Sequence, residues 1–229
     1  MLDKAFETLK TYDWGQDAKA LLPIEQAINE SHGDEAERAK LEKRIGESLA
    51  SDISLSAKQM CSRYLRTCGT AASVPALAAL LSDEKLSHIA RYALERIPGA
   101  EAGKALRDAL AKAEGQLKIG MIASLAARGD EDCVGELAKS LADSDPAIAT
   151  AAARGLGQIR TAEAAKALEG KTADEALGAA ADARLACAES LLAGGSKKEA
   201  LAIYKSLSGS EQPKHVRLAA TRGVLASNK

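Results

Sequence analysis

Aromatic residues are scarce in this chain of 229 residues. They make up 3% of it, although hydrophobic residues as a class make up 46%. Large aromatic side chains usually dominate the centre of a compact globule. Their scarcity disfavours a thick central core and favours layers of helices or strands that pack closely through small side chains.

Long apolar runs are also lacking. No stretch approaches the roughly 18 consecutive apolar residues that a membrane-spanning helix needs, and charges occur throughout the first ten residues, which leaves no apolar segment of a signal peptide. The sequence therefore predicts a soluble protein without a membrane span. Its compartment stays open between the cytoplasm and, if a leader has been removed, an exported location.

Neither a metal site nor a catalytic group is indicated. No Cys-x-x-Cys or Cys/His ligand spacing occurs, and the three histidines, His32, His88 and His215, are far apart. A nucleophile would need a base and an orienting group within hydrogen-bond reach, and no such set is recognisable. The sequence predicts no cofactor and no enzymatic activity.

Alanine is abundant, with 49 residues, and it is the best helix former. Two interleaved series of aliphatic residues repeat every 29 to 35 residues along the chain. One series is Leu65, Leu94, Leu125, Leu156, Leu191 and Val224, and the other is Leu77, Leu106, Leu137, Leu168 and Leu201. Because the two series advance together, each repeat contains two helices, which we name A and B. The Leu65 series lies on the B helices.

Turn residues separate these helices. Asp143-Ser144-Asp145-Pro146 lies between an A and a B helix, and Gly129-Asp130 lies between two repeats. Glycine and proline end helices, and Asp or Ser caps the next one. We expect residues 1–33 to form an N-terminal helical pair and residues 34–229 a continuous repeat array, with Asp34 and Glu37 as a capping box at its start.

The repeats resemble a known family. Residues 74–83 (VPALAALLSD) and 151–159 (AAARGLGQI) are similar to the HEAT-like repeats of phycobilisome-lyase-type and related bacterial proteins. The resemblance implies an all-α, right-handed α–α superhelix, or solenoid, of about six hairpins with the B helices on its concave side. It also implies a non-catalytic, protein-binding scaffold, with an accessory role in an enzyme such as a chromophore lyase as an alternative.

Small residues in the B helices have a structural interpretation. Gly155-x-Gly157 lies within a helix rather than after a strand, so we expect it to allow close helix packing instead of binding a dinucleotide. Cys61 and Cys187 occupy a position that alanine fills in three other repeats, which predicts that they are buried. Cys68 and Cys133 lie near helix ends, where more exposure is expected.

Charge is distributed unevenly. The chain has a net charge of −1, but the six B helices together carry +10, and residues 130–145 carry −5. This predicts a basic B-helix face for an acidic segment of a protein partner. The candidate residues off the apolar stripe are Lys58, Arg63, Arg66, Arg91, Tyr92, Lys118, Arg154, Arg184, Arg217 and Arg222.

Two alternatives stay open from the sequence. The basic residues could be solvated scaffold charges that pair with nearby acids, as Arg184 would with Asp182, or that suit the dipoles of helix C-termini. The face could instead bind nucleic acid, but the near-neutral charge, the few aromatic residues and the absence of a lysine-rich stripe disfavour that. The oligomeric state is not indicated.

Overall fold

The computed structural model describes residues 1–228, and within that range every regular element is helical. The α-helices are α1 (Leu2–Thr11), α2 (Leu22–Glu30), α3 (Glu35–Leu49), α4 (Leu55–Cys68), α5 (Val74–Ala78), α6 (Ser87–Leu94), α7 (Ala100–Leu110), α8 (Gly115–Arg128), α9 (Val134–Ser140), α10 (Pro146–Ile159), α11 (Ala162–Ala167), α12 (Leu177–Ala193), α13 (Lys197–Leu207) and α14 (Lys214–Ser227). The predicted all-α array of helical hairpins is confirmed.

Short 3-10 helices precede several of these elements. They span Ala18–Leu21, Ala71–Ser73, Glu131–Cys133 and Asp174–Ala176. None of the helices formed by residues 1–228 combines the length and apolar character needed to cross a bilayer.

The chain divides into two compact units, Met1–Lys112 and Ala113–Lys229. In the first unit, α4 contacts both α2 and α6, while α5 contacts α7. In the second, α8, α10, α12 and α14 contact one another in sequence, and α9 contacts α11. Each unit therefore has a row of B helices and a row of A helices. The domain boundary after residue 33 stays a prediction.

Local sequence explains where several helices begin and end. The Asp145 side chain accepts a hydrogen bond from the backbone N–H of Ala147 at 2.8 Å, and Pro146 occupies the first helical position of α10. At the end of α8, Gly129 adopts the left-handed conformation with φ of 66°, which glycine reaches without a steric cost. The predicted turn chemistry is confirmed at both places.

The predicted capping box at the start of α3 is half formed. The Asp34 side chain accepts a hydrogen bond from the backbone N–H of Glu37 at 3.0 Å. The reciprocal bond is replaced, because the backbone N–H of Asp34 donates to the carbonyl of Ser31, while the Glu37 carboxylate pairs with Lys40 at 2.5 Å. The Asp34 carboxylate thus caps the helix, while the Glu37 carboxylate forms an ion pair instead of completing the capping box.

The two aliphatic series form the core in the first four hairpins of the array, α3/α4 to α9/α10, and at the end of α11. Fully or almost fully buried members are Leu65, Leu94, Leu125, Leu156, Leu77, Leu106, Leu137 and Leu168. Towards the C-terminus, Leu191, Leu201 and Val224 are only half-buried. On α13 the buried stripe runs through Ala200, Ile203, Tyr204 and Leu207, so Leu201 lies beside the stripe rather than in it.

Glycines bring α10 close to its neighbours, as the sequence predicted. A Cβ atom added to Gly155 would lie 3.0 Å from a methyl carbon of Leu137 and 3.2 Å from one of Ile122. A Cβ added to Gly157 would lie 2.7 Å from the Cβ and 2.8 Å from the Cα of Ala183. Helices α10 and α12 therefore meet almost backbone to backbone at this point.

A buried carboxylate connects two hairpins of the first unit. Glu42 of α3 is 4% exposed, and its oxygens accept hydrogen bonds from the backbone N–H of Thr70 at 2.6 Å and from the Ser73 hydroxyl at 2.5 Å. The Thr70 hydroxyl also donates to Glu42. These donors satisfy a charge that would otherwise be costly to bury.

The close contact at Gly157 predicts that alanine at this position destabilises the protein, although alanine is the better helix former. We expect Gly157→Ala to lower the free energy of unfolding by about 1–3 kcal/mol, because the added methyl group overpacks the contact with Ala183. The matched control is Gly46→Ala within α3, where an added Cβ meets nothing within 4 Å. That control should raise the free energy of unfolding by roughly 0.5–1 kcal/mol. Urea denaturation measures both, and stabilisation by both substitutions would contradict the packing argument.

Candidate partner-binding surface

All ten candidate residues lie on B helices, and they divide equally between the two units. The first unit contains Lys58, Arg63 and Arg66 on α4 and Arg91 and Tyr92 on α6. The second contains Lys118 on α8, Arg154 on α10, Arg184 on α12 and Arg217 and Arg222 on α14. Each unit therefore has its own basic B-helix row, and the two rows are described separately.

A cavity opens beside α4 in the first unit. It has a volume of about 260 Å³ and is lined by residues of α2, α4 and α6. Three candidates line it, namely Arg63, Arg66 and Tyr92. The guanidinium carbon of Arg66 lies 4.2 Å from the centre of the Tyr92 ring, which is a cation–π distance. The structure thus brings these three candidates together.

Polar atoms without partners lie at this cavity. Tyr64, another lining residue, is 4% exposed, and its hydroxyl oxygen has no hydrogen-bond partner among the described residues. The Nε atom of Arg66 is also buried and has no partner there. Burial, with a smaller contribution from Glu25, raises the pKa of Tyr64, so its hydroxyl stays protonated and able to donate.

Lys58 and Arg91 belong to the same row but do not line the cavity. Both are half-buried. Burial lowers the pKa of the Arg91 guanidinium, and the negative charge of Glu95, one turn further along, partly offsets that effect. The Arg91 guanidinium therefore lies near a negative charge at the end of its own helix.

In the second unit, two candidates are held by internal ion pairs. The ammonium group of Lys118 lies 2.6 Å from a carboxylate oxygen of Asp143, and both side chains are mostly buried. The hydrogen bond from Lys118, together with one from the backbone N–H of Asp145, lowers the pKa of Asp143. Lys118 thus joins α8 to the turn before α10.

Arg184 is the other candidate held in this way. It lies 3.0 Å from Glu169 and donates a hydrogen bond to the Ser206 hydroxyl at 2.8 Å. The pairing with Asp182 expected from the sequence is wrong, because Asp182 interacts instead with His215 at 2.9 Å. Residues 182 and 184 are two apart and so point to different sides of α12.

The remaining three candidates of the second unit, Arg154, Arg217 and Arg222, have no acidic partner among the described residues. Arg154 and Arg222 are exposed at equivalent positions of α10 and α14. Arg217 is half-buried, and its Nε atom has no hydrogen-bond partner within residues 1–228. These cations are available to an external anion in a way that Lys118 and Arg184 are not.

Several cavity residues were not predicted from the sequence. Glu25 and Asn29 lie on α2, which was assigned to a separate N-terminal pair rather than to the B row. Tyr64 falls on the apolar stripe of α4, a position that predicts a core residue rather than a binding residue. The contact of α2 with α4 is a long-range feature, and only the amphipathic pattern of α2 could have indicated it.

All four cysteines are free and buried. The predicted burial of Cys61 and Cys187 is confirmed, with both fully buried. The expectation of greater exposure for Cys68 and Cys133 is wrong, because their exposed fractions are 1% and 0%. Helix ends in this fold lie against the neighbouring hairpin, so a terminal position does not imply contact with water. No group of three or more metal-ligating side chains occurs within residues 1–228.

Comparison with known proteins agrees with the repeat pattern. Residues 103–191 match the family model for HEAT repeats. Residues 103–191 therefore carry HEAT-like repeats, and the predicted resemblance to such repeats is confirmed over that segment, which includes residues 151–159. No curated protein gives a significant match to the chain.

Solved structures with similar chains include natural and designed proteins. An archaeal HEAT-like repeats protein from Thermococcus onnurineus NA1 is 16% identical, with a TM-score of 0.44 over 100% of this chain and 97% of that one. A designed armadillo repeat protein is 15% identical, with a TM-score of 0.41 over 100% of both chains. Human deoxyhypusine hydroxylase is 16% identical, with a TM-score of 0.37 over 99% of this chain and 96% of that one.

Burial of the thiols predicts their reactivity and one component of the pH dependence. Burial raises the pKa of Cys61 from 9.0 to about 12 and those of Cys68 and Cys187 to about 11. In the unfolded chain these thiols ionise near 9, so the free energy of unfolding should fall as the pH rises from about 9 to about 12.

At neutral pH we expect no thiol to react with Ellman's reagent in the folded protein and all four to react after denaturation. Denaturant titrations across the alkaline range measure the stability change, and replacing Cys61 and Cys187 by alanine should reduce it. Rapid labelling of the native protein would contradict the burial of these side chains.

Proposed function

We propose that this protein is a non-catalytic scaffold whose B-helix row binds an acidic segment of a protein partner. The observation that carries the proposal is a set of B-row arginines without acidic partners among residues 1–228, namely Arg63, Arg66, Arg154, Arg217 and Arg222. In a chain of net charge −1, acids are numerous enough to neutralise them. Their isolation on the B-helix rows of the two units leaves them free for an external anion.

The residue types suit a protein partner. Arginine and tyrosine are, with tryptophan, the side chains enriched at the energetic centres of protein interfaces. Stacked helical repeats also provide extended surfaces that contact a partner at several points. The concave shape of the row and the acidic character of the partner are parts of this proposal.

Nucleic acid is the competing occupant of the same row. Phosphate binding would use the same arginines, but non-specific nucleic-acid binding usually needs a larger excess of positive charge. A role as an accessory subunit of an enzyme is compatible with the scaffold, because such a subunit would bind the enzyme without catalysing a reaction itself.

Charge reversal on the row provides the test. We expect the triple variant Arg63→Glu, Arg154→Glu, Arg222→Glu to weaken binding of a fluorescein-labelled oligoglutamate peptide by about tenfold or more at low ionic strength. The charge-matched control reverses Lys4, Lys139 and Lys166, which are exposed on A helices. Fluorescence anisotropy measures the affinity, and circular dichroism confirms that each variant is folded.

The outcomes separate the alternatives. Weaker peptide binding by the B-row variant but not by the A-row control supports the proposal. Equal effects of the two variants would show a general charge effect and overturn it. Tight binding of duplex or single-stranded DNA, with no binding of the peptide, would replace the protein partner by nucleic acid.

A further inference from the structure

We propose that the cavity between α2, α4 and α6 is a carboxylate pocket that anchors one Asp or Glu side chain of the acidic partner. This inference rests on the proposed function and identifies the place at which the acidic partner is anchored. Arg66 on its Tyr92 platform, with Arg63 beside it, would bind the carboxylate, and Glu25 would select for a single negative charge.

The first support is the preorganisation of Arg66. Its guanidinium lies over the Tyr92 ring, so the ring covers one face, while the nitrogen atoms at its edge have no acidic partner among the described residues. A planar guanidinium held in this way presents donors in the fork geometry that a carboxylate accepts. Tyr92 lines the cavity and is 45% exposed, so its ring is accessible from solvent.

The second support is the unpaired hydroxyl of Tyr64. The side chain is more than nine-tenths buried and lines the cavity, and the hydroxyl has no partner within residues 1–228. A buried polar group without a partner costs free energy that a bound acceptor recovers. A carboxylate held by Arg66 would supply acceptor oxygens to the same cavity.

The charge of the cavity wall distinguishes a carboxylate from a phosphate. Two cations, Arg63 and Arg66, face one anion, Glu25, so the lining has a net charge of +1. A carboxylate of charge −1 matches that value. A phosphate monoester carries about −1.5 to −2 near neutral pH, and its additional charge would be repelled by Glu25.

The size of the cavity also fits one side chain. Its volume is about 260 Å³, below the range of roughly 300–1,000 Å³ that accommodates drug-sized ligands. Asn29 and Thr67 add polar atoms at the wall. An acidic side chain from an extended segment would enter, while the rest of the segment would lie along the B-helix row.

The test uses the full chain and short labelled peptides. The reference peptide is an oligoglutamate, and two others carry a central glutamine or a central phosphoserine in place of one glutamate. We expect Arg66→Gln to weaken binding of the oligoglutamate by about tenfold or more and Tyr92→Leu by about threefold. The matched control is Arg96→Gln, an exposed arginine just beyond α6 that does not line the cavity.

The Glu25→Gln substitution tests the selectivity of the pocket and is expected to tighten binding rather than weaken it. This variant should tighten binding of the phosphoserine peptide by about threefold relative to the all-glutamate peptide, because a repulsive carboxylate is removed. Its gain cannot arise from misfolding, so it keeps the proposal testable if Arg66→Gln lowers the melting temperature.

Failure of the pocket and failure of the proposed function are distinguishable. The pocket is overturned and the binding row is retained if the triple B-row variant weakens oligoglutamate binding but Arg66→Gln and Tyr92→Leu leave it unchanged, and Glu25→Gln does not alter the preference between the glutamate and phosphoserine peptides. If the wild-type chain binds none of the peptides, both proposals are overturned. Losses in Arg66→Gln and Tyr92→Leu, with no change in Arg96→Gln, support the pocket.

Discussion

Close approach of neighbouring B helices is the constraint on which the rest of this structure depends. Where Gly157 of α10 meets Ala183 of α12, the two helices have no room for an intervening side chain. Contacts of this kind require small residues, and they explain how a chain with few aromatic residues still forms a closely packed interior. Dispersion contacts are many when backbones are close, even though each is weak.

This packing also determines where the charges lie. A B helix buries its stripe of small and aliphatic residues against its neighbours, so its polar residues must occupy the remaining face. Arg154 and Arg222 occupy equivalent places on that face because the repeat brings equivalent positions to equivalent surroundings. The same rule brings Arg66 of α4 and Tyr92 of α6 into contact, since adjacent helices in the row present adjacent side chains.

The repeat could be predicted from sequence because its signals are local and recur. Leu65 and Leu125 are buried as expected, while Leu201 lies beside its stripe, because the apolar pattern of α13 starts at a different position. Side-chain partners were less predictable. Lys118 pairs with a residue 25 positions away and Arg184 with one 15 positions away, and no local rule indicates such partners. No local rule indicates that Tyr64 lines the cavity either.

The buried carboxylate of Glu42 has a consequence for the specificity of the stack. Alanine-rich helix surfaces are nearly interchangeable, so apolar packing alone permits one hairpin to slide along the next by a helical turn. Glu42 meets donors of Thr70 and Ser73 in only one such alignment, and any slipped arrangement would leave a charge without donors in the interior. Directional hydrogen bonds at a single point can thus exclude misaligned packing arrangements that an apolar interface would tolerate.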